Sequence, residues 1–216
     1  YKKIGGQSMD ELMNSVLLGV PESVANLQLP DPTLRDFYKD EAERIYWMDS
    51  GICDCSLDLV KMIIACNKED KGIPAEERKP IRVMINSPGG DVQVMLTIIN
   101  AIKLSKTPVY TINFCNAMSA AAEILAAGHK RYALPGTCVM VHSGSRFYGG
   151  TEEQAESAKK YADALTKRTR EIFLESTKVN PKKLKQKGAF DWYMLEDEAL
   201  EQGIIDEVIS DLDILF

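Results

Sequence analysis

The sequence lacks the marks of several large classes of protein. Its 26 basic residues are outnumbered by 32 acidic ones and form no visible stripe, so nucleic acid is not expected as its main partner. No apolar run reaches the roughly 18 residues that cross a bilayer, and no membrane association is predicted. The GxxxxGKS/T phosphate-binding motif is also missing, so we do not expect this chain to hydrolyse ATP itself.

Cysteine and histidine are scarce. The five cysteines are Cys53, Cys55, Cys66, Cys115 and Cys138. They are odd in number, lie mostly in apolar segments and lack the paired spacing of a zinc site. We therefore expect reduced core residues of a cytoplasmic protein, with neither metal nor other cofactor. A histidine base, if there is one, must be His129 or His142, because the chain has no others.

The remaining composition suits one compact domain, because 216 residues with 45% hydrophobic content can build a sizeable core. Residues 1–42 are the least regular part, and 8–20 has the pattern of a short amphipathic helix. Beyond them, strand-like and helical runs alternate. The strand-like runs are 44–48, 81–86, 108–114 and 138–142, and the helical runs begin at Leu57, Val92 and Ser119. This alternation predicts βαβ units around a largely parallel sheet, and hence an α/β fold.

After His142 the pattern changes to one long charged segment from Thr151 to Lys178. Small and apolar residues recur along a single helical stripe, at Ala155, Ala158, Ala162, Leu165, Thr169 and Ile172. Such a helix is too long and too polar on its other faces for a simple crossover between strands. We predict a projecting helix that packs against another subunit.

Three turns follow predicted strands, which is where α/β folds place their sites. The first is NSPGGD at 86–91, where Gly89 and Gly90 permit positive φ angles and a close approach of a ligand to the backbone. Free N–H groups at the start of the next helix would suit a developing negative charge. An ordinary tight turn is the alternative interpretation of this motif.

The second turn carries Ser119, which opens the small and apolar run NAMSAAAEILAAG. A serine at this position is commonly a helix cap. It can also be a nucleophile, because the helix N-terminus and the next backbone N–H, that of Ala120, can stabilise an oxyanion. The sequence around Ser119 leaves both interpretations open.

The third turn follows His142, which ends an apolar strand beside a loop rich in glycine and serine. His142 is therefore the better candidate for a base, although a structural histidine remains an alternative; His129 lies in a helix-terminating loop and is expected to face water. A neutral imidazole base needs an orienting acid. Asp191 is the candidate, because it lies between Phe190 and Trp192 and is expected to be partly buried and in need of a partner.

Four stretches in this order, INSPGGDV, NAMSAAAEILAAG, RYALPGTCVMVH and FDWYMLEDEALEQGIIDEVI, resemble the proteolytic subunit of the Clp protease over about residues 43–210. The resemblance implies a crotonase-like (ClpP-type) spiral of βαβ units, with residues 43–216 as a single protease domain. The helix at about 151–178 would be a handle that joins two heptameric rings into a tetradecamer. A separate AAA+ unfoldase would use ATP to deliver unfolded polypeptide, with the divergent segment 1–42 in the axial and partner-docking region.

The resemblance also implies roles for individual residues in a serine endopeptidase. Ser119 matches the nucleophile, His142 the general base and Asp191 the orienting acid. The backbone N–H groups of Gly90 and Ala120 match those that form the oxyanion hole.

The sequence departs from the family pattern in several places. Ala120 and Ala121 follow the candidate nucleophile where Met-Gly is common, but a backbone N–H remains available. Glu123 stands one helical turn further on, where the family usually has an apolar residue. Arg82 and Met84 occupy places where the family often has aromatic residues that line the pocket for the unfoldase, which puts standard docking in question.

Several alternatives remain beside the endopeptidase. A catalytically silent ring subunit and a phage-type relative that processes its own structural proteins both fit the resemblance. An acyl-CoA enzyme could use the same fold and oxyanion hole without a triad. An α/β-hydrolase is disfavoured, because the chain order is Ser–His–Asp and no GxSxG motif is present.

Overall fold

A computed structural model describes residues 35–215 of the chain, except for the side chains of Arg35 and Phe37. The helix predicted over 8–20 and most of the segment 1–42 therefore lie outside the described residues.

The chain divides into one unit that ends at Lys39 and a second that begins at Asp40 and contains every described strand. In order, the elements are α1 (Arg35–Glu43), β1 (Ile45–Met48), α2 (Asp58–Glu69), β2 (Ile81–Ser87), α3 (Val92–Leu104), β3 (Val109–Met118), α4 (Ala120–Ala127), β4 (Lys130–Ala133), β5 (Cys138–Val141), α5 (Glu152–Ser176), α6 (Pro181–Lys187), β6 (Trp192–Leu195), α7 (Glu196–Glu201) and β7 (Glu207–Val208). Short 3₁₀ turns lie at Asp54–Leu57, Ala75–Glu77 and Leu212–Leu215. The four predicted strands and the predicted helices that follow them are confirmed.

The strands form one mixed sheet whose main path is parallel. Along that path the order is β1-β2-β3-β4-β7, and every neighbouring pair is parallel. The first half of β3 pairs with β4, while its last residues, Asn116 to Met118, pair with β5. The final strand, β6, is antiparallel to β5. The prediction of an α/β fold with a largely parallel sheet is confirmed, and β3 is the strand at which the sheet branches.

The main core joins buried residues of the sheet to buried residues of α2, α3 and α4. Helix α4 is buried almost all round, and Ala121, Ala122, Ile124 and Leu125 have no exposed surface. It packs against both α3 and β3. Three successive alanines at its start let these elements approach closely, which is why this helix needs small residues rather than an amphipathic pattern.

The long charged segment folds as α5, a helix of 25 residues that is about 37 Å long. Thr151 caps its N-terminus in a capping box with Gln154. Of the helix's residues, all of which are described, Thr169 and Phe173 are buried. Ala158, on the predicted stripe, is exposed in the single chain. The prediction of one long helix is confirmed, and its packing against another subunit stays a prediction.

The cysteines differ in part from their predicted state. A disulfide joins Cys53 and Cys55, which both lie exposed in the loop after β1, with their Cα atoms 5.3 Å apart. The prediction of reduced core residues is therefore wrong for this pair, because a C-x-C spacing in an exposed loop brings the two side chains together without burying them. Cys66 is free and buried as predicted, Cys138 is free and half-buried, and Cys115 is free but exposed.

A smaller apolar cluster contains residues from β1 to β4 and from the end of the described chain. Its buried members are Ile45, Met84, Ile112, Tyr132, Ile209 and Leu215. The Nε of Arg82 donates a hydrogen bond to the carbonyl oxygen of Leu215, and Arg82 is itself buried. Both places that the resemblance assigned to a docking pocket are thus buried in the single chain, and Leu215 both accepts the Arg82 hydrogen bond and belongs to the same apolar cluster as Met84.

Candidate active site

The sheet brings the three candidate side chains to one edge through strand register. Ser119 follows the end of β3, and His142 follows the end of β5, which pairs with β3 in parallel. Asp191 precedes β6, which is antiparallel to β5, and the ladder places Val141 opposite Trp192. His142 directly follows β5 and Asp191 directly precedes β6, so the antiparallel pairing makes them neighbours.

The side chains of these three residues lie in a row. Ser119 Oγ is 2.8 Å from His142 Nε2, within hydrogen-bonding distance. His142 Nδ1 is 3.2 Å from Asp191 Oδ1, within ion-pair distance. The structure thus joins a hydroxyl, an imidazole and a carboxylate that are up to 72 residues apart in the sequence.

The environment of Asp191 differs from its prediction. Its side chain is 53% exposed, whereas the sequence predicted partial burial among aromatic residues. The flanking rings explain the difference: Trp192 is buried, but Phe190 is 79% exposed and does not shield the carboxylate. The imidazole of His142 is 23% exposed and lies deeper than its acidic neighbour.

The hydroxyl of Ser119 does not cap α4, although the residue occupies the N-cap position. No hydrogen bond runs from its side chain to the first turn of the helix, all of which is described. Its backbone has φ 55° and ψ −123°, a positive φ that a residue with a Cβ rarely adopts. The backbone N–H of Ser119 donates to the carbonyl oxygen of Met140 at 2.8 Å. This contact anchors the turn to β5 and directs the hydroxyl away from the capping position toward His142.

The NSPGGD turn lies directly against Ser119. Gly89 has φ +94°, and a Cβ added there would lie 2.7 Å from the Ser119 Cβ and 3.0 Å from the amide nitrogen of Ala120. Both values are shorter than ordinary contacts. Gly89 is therefore required for its backbone conformation and for the close approach of the turn to the start of α4.

Gly90 is held by a contact that the sequence did not predict. Ile52 pairs with this turn as an isolated parallel bridge: its N–H donates to Gly89 at 2.9 Å, and its carbonyl accepts from Asp91 at 2.9 Å. A Cβ on Gly90 would collide with Ile52. Among the described residues, no backbone partner accepts the Gly90 or the Ala120 N–H. Nothing in the loop sequence around Ile52 signals this role.

A cavity opens beside Ser119. It is bounded by the starts of α3 and α4, the chain after β5, helix α5 and the end of α6. Glu123 lines this cavity one turn after Ser119, and its Oε2 is buried without a hydrogen-bond partner in the described part of the chain. Burial raises the pKa of Glu123 to about 7.

The second histidine is far from this row. His129 stands at the opposite end of β3. Its ring Nδ1 accepts a hydrogen bond from the Val109 N–H at 3.0 Å, and its backbone N–H donates to the Val109 carbonyl oxygen. Burial lowers the pKa of the His129 imidazole. The prediction that His129 only faces water is incomplete, because it is exposed yet fixed to the start of the strand.

Two further features bear on the class of protein. Across residues 35–215, no group of three or more histidine, cysteine, aspartate or glutamate side chains could hold a metal ion. No helix within the same range is long and apolar enough to cross a membrane. A parallel α/β sheet with a hydroxyl, an imidazole and a carboxylate in a row at its strand ends is an arrangement typical of serine hydrolases.

Comparison with known proteins narrows this class. Residues 60–211 match the family described as Clp protease. The chain is also 38% identical, over 136 residues, to the ATP-dependent Clp protease proteolytic subunit of Deinococcus radiodurans. That alignment covers 60% of this chain and 65% of the relative, so the chain spans slightly less than two thirds of the length of the curated protein it matches. The chain belongs to the Clp protease family.

Proposed function

We propose that this chain is a serine endopeptidase subunit of a self-compartmentalised ring protease, with Ser119 as the nucleophile. The observation that carries the proposal is the row in which Ser119 Oγ lies 2.8 Å from His142 Nε2 and His142 Nδ1 lies 3.2 Å from Asp191. A serine hydroxyl is a weak nucleophile until a base accepts its proton, and a base needs the correct tautomer. The two contacts fit both requirements.

The reaction begins with the neutral imidazole of His142, which carries its proton on Nδ1, toward Asp191. The Ser119 hydroxyl donates to Nε2 and transfers its proton there as Oγ attacks the peptide carbonyl carbon. The ionised carboxylate of Asp191 stabilises the imidazolium that forms. Nε2 then gives the proton to the departing amine, and an acyl-enzyme remains on Ser119. Water, activated by the same imidazole, releases the new carboxyl terminus.

The Gly90 and Ala120 N–H groups receive the negative charge on the carbonyl oxygen in each tetrahedral intermediate. Neither N–H has a backbone acceptor among the described residues, and Gly89 holds the turn against the start of α4. Donors fixed in this way need no reorganisation when the charge appears, and each is worth about 10²–10³ in rate in comparable enzymes.

The strained backbone of Ser119 fits its proposed role as the nucleophile. A positive φ at a non-glycine residue costs on the order of 1–3 kcal/mol and persists only where the surroundings enforce it. Here the hydrogen bond from Ser119 N–H to Met140 and the buried helix α4 enforce it. The gain is that the hydroxyl meets the imidazole instead of the N–H groups of the helix.

The rest of the proposal concerns assembly and substrate. The Deinococcus radiodurans relative is described as a proteolytic subunit of an ATP-dependent protease. By analogy, we propose that the exposed length of α5 packs against other copies of this chain, as two stacked heptameric rings. A separate AAA+ unfoldase would supply ATP hydrolysis and deliver unfolded polypeptide, since this sequence contains no phosphate-binding loop.

Cleavage of a fluorogenic peptide by the wild type and by Ser119→Ala tests the proposal. The variant is expected to lose all peptidase activity, because no other nucleophile in residues 35–215 is aligned with His142. Its mass by light scattering is expected to stay that of the wild type. Ser145→Ala, which changes an exposed serine in the nearby loop, is the matched control and is expected to remain fully active. Turnover by Ser119→Ala would overturn the assignment, and an inactive wild type of correct mass would indicate a silent ring subunit.

A further inference from the structure

Glu123 shares a helix face with the candidate nucleophile. Residues four apart on a helix lie one above the other, and the Glu123 N–H faces the Ser119 carbonyl at 3.4 Å. Both residues line the cavity that also contains His142. A substrate whose carbonyl reaches Ser119 therefore places an adjacent side chain within reach of Glu123.

The Glu123 carboxylate lacks a partner of its own. Its Oε2 is fully buried, and no side chain or backbone group in the described part of the chain donates a hydrogen bond to it. Burial raises the pKa of the Glu123 carboxyl to about 7, and no nearby cation among the described residues offsets this rise. A buried acceptor without a donor is unfavourable for the folded protein and calls for a ligand that supplies the donor.

The rest of the cavity can hold an aliphatic chain. Its apolar lining includes Val92, Met95, Val141, Phe173 and Leu184. Two other titratable or cationic groups face the same space: His142, which is engaged with Ser119, and Arg170, whose side chain lies exposed on α5. A side chain with an apolar stem and a charged end would pack its stem on these walls and bring its end to Glu123.

We propose that Glu123 makes the cavity beside Ser119 selective for a basic side chain, so that this protein cleaves next to lysine or arginine. This inference rests on the proposed function, since it names the substrate class of the same site. The cation and Glu123 would satisfy each other inside the cavity, and a leucine there would leave the buried carboxylate unpaired. A site built around a hydrogen bond discriminates strongly against a ligand that lacks it.

The selectivity has an expected pH dependence. Glu123 is protonated below its raised pKa of about 7, so the attraction for a cation is lost as the pH falls through that range and is present above it. Any effect of pH on the shared nucleophile and base is common to both peptides. The ratio of kcat/KM for an arginine peptide to that for a leucine peptide therefore isolates Glu123, and it is expected to rise with pH between about 6 and 8.

Peptides that differ only at the residue before the scissile bond test the proposal. The wild type is expected to cleave the arginine and lysine peptides at least about 10-fold faster in kcat/KM than the leucine peptide. Glu123→Gln is expected to remove most of this preference, and Glu123→Leu to reverse it. Glu201→Gln, which neutralises an exposed glutamate in α7, is the matched control and is expected to leave the preference unchanged.

A fluorophosphonate probe separates failure of this inference from failure of the proposed function, because it reports on Ser119 without a substrate side chain. If Ser119 is labelled but the wild type cleaves leucine as well as arginine peptides, the selectivity is wrong and the endopeptidase assignment stands. Retention of the preference by Glu123→Gln also overturns the inference. A preference that appears only in Arg170→Gln would overturn the inference as well, because Arg170 would then pair with Glu123 in the wild type.

Discussion

Ser119 stands where a serine usually has a structural role, but its hydroxyl makes a different contact. A serine at the start of a helix ordinarily gives its side-chain oxygen to the N–H groups of the first turn. In this chain the positive φ of Ser119 and its backbone bond to Met140 direct the hydroxyl to His142 instead. The helix is stable without a side-chain cap because almost its whole surface is buried.

The two histidines provide a matched test at the scale of single residues. His142→Ala is expected to lower kcat/KM by about 10⁴-fold or more, because it removes the base from the row. His129→Ala removes the acceptor of the Val109 N–H, so it is expected to lower the melting temperature by a few degrees and to keep the full rate per folded molecule. Rates normalised by active-site titration check both expectations. Equal activity losses in the two variants would contradict the assignment of the base.

At the scale of elements, the site is a product of register between short strands. β5 has four residues, yet its parallel pairing with β3 and its antiparallel pairing with β6 put His142 between Ser119 and Asp191. The NSPGGD turn is fixed in the same way, by the bridge from Ile52. The pairing of the strands is therefore enough to bring the three candidate side chains together.

Substitution of the two turn glycines separates close contact from backbone strain. Gly89 and Gly136 both have positive φ, but a Cβ on Gly89 meets Ser119 and Ala120, while a Cβ on Gly136 meets nothing within 4 Å. Gly136→Ala is expected to cost about 1–2 kcal/mol of stability and leave kcat unchanged. Gly89→Ala is expected to cost at least as much and also to lower kcat by roughly 100-fold, because it displaces the oxyanion donors. Denaturant unfolding and steady-state kinetics measure the two effects. Normal kcat in Gly89→Ala would contradict the proposed oxyanion hole.

The elements also show which parts of the fold were predictable. The strand at Ile81–Ser87 and the helix at Val92–Leu104 were found from hydrophobic pattern, because both are long and strongly periodic. Strands β4 and β7 were not predicted, since they are short and carry charged side chains, and β6 was not predicted although, like β1 and β5, it has four uncharged residues. For such strands the neighbours in the sheet decide the structure, and local sequence does not.

The candidate site was predictable in composition but not in detail. The strand ends pointed to Ser119 and His142, and the flanking aromatic residues singled out Asp191 among the acids before the family resemblance matched it. Its predicted burial was wrong, because which neighbouring ring covers a carboxylate depends on the direction of β6. The orphan oxygen of Glu123 could not be found without coordinates, since a glutamate on a helix is usually exposed.

At the scale of the whole molecule, α5 extends far beyond what one chain needs. Its two buried residues, Thr169 and Phe173, lie in its second half. The first half presents a stripe of small residues that is exposed at Ala158 and half-buried at Ala155 and Ala162. Small side chains allow close helix packing, so the stripe suits contact with a second copy. The proposed rings would enclose the site and restrict it to polypeptides that can enter an internal chamber.

Two alanines on α5 test this contact. Ala158 lies on the stripe and Ala164 lies about 120° away from it around the helix, and both are exposed in the single chain. Ala158→Glu is expected to give smaller assemblies by light scattering, because it places a charge in the proposed interface. Ala164→Glu is expected to keep the mass of the wild type. An unchanged mass for Ala158→Glu would contradict the packing of this stripe against another subunit.

The most direct measurement of the central claim is the position at which a fluorophosphonate attaches to the intact protein. Peptide mapping by mass spectrometry is predicted to find a single adduct, on Ser119, that is absent when the probe is added to His142→Ala. Such an adduct requires an activated hydroxyl, which the contact with the imidazole supplies. Labelling of another serine, or labelling of Ser119 that persists without His142, would contradict the account.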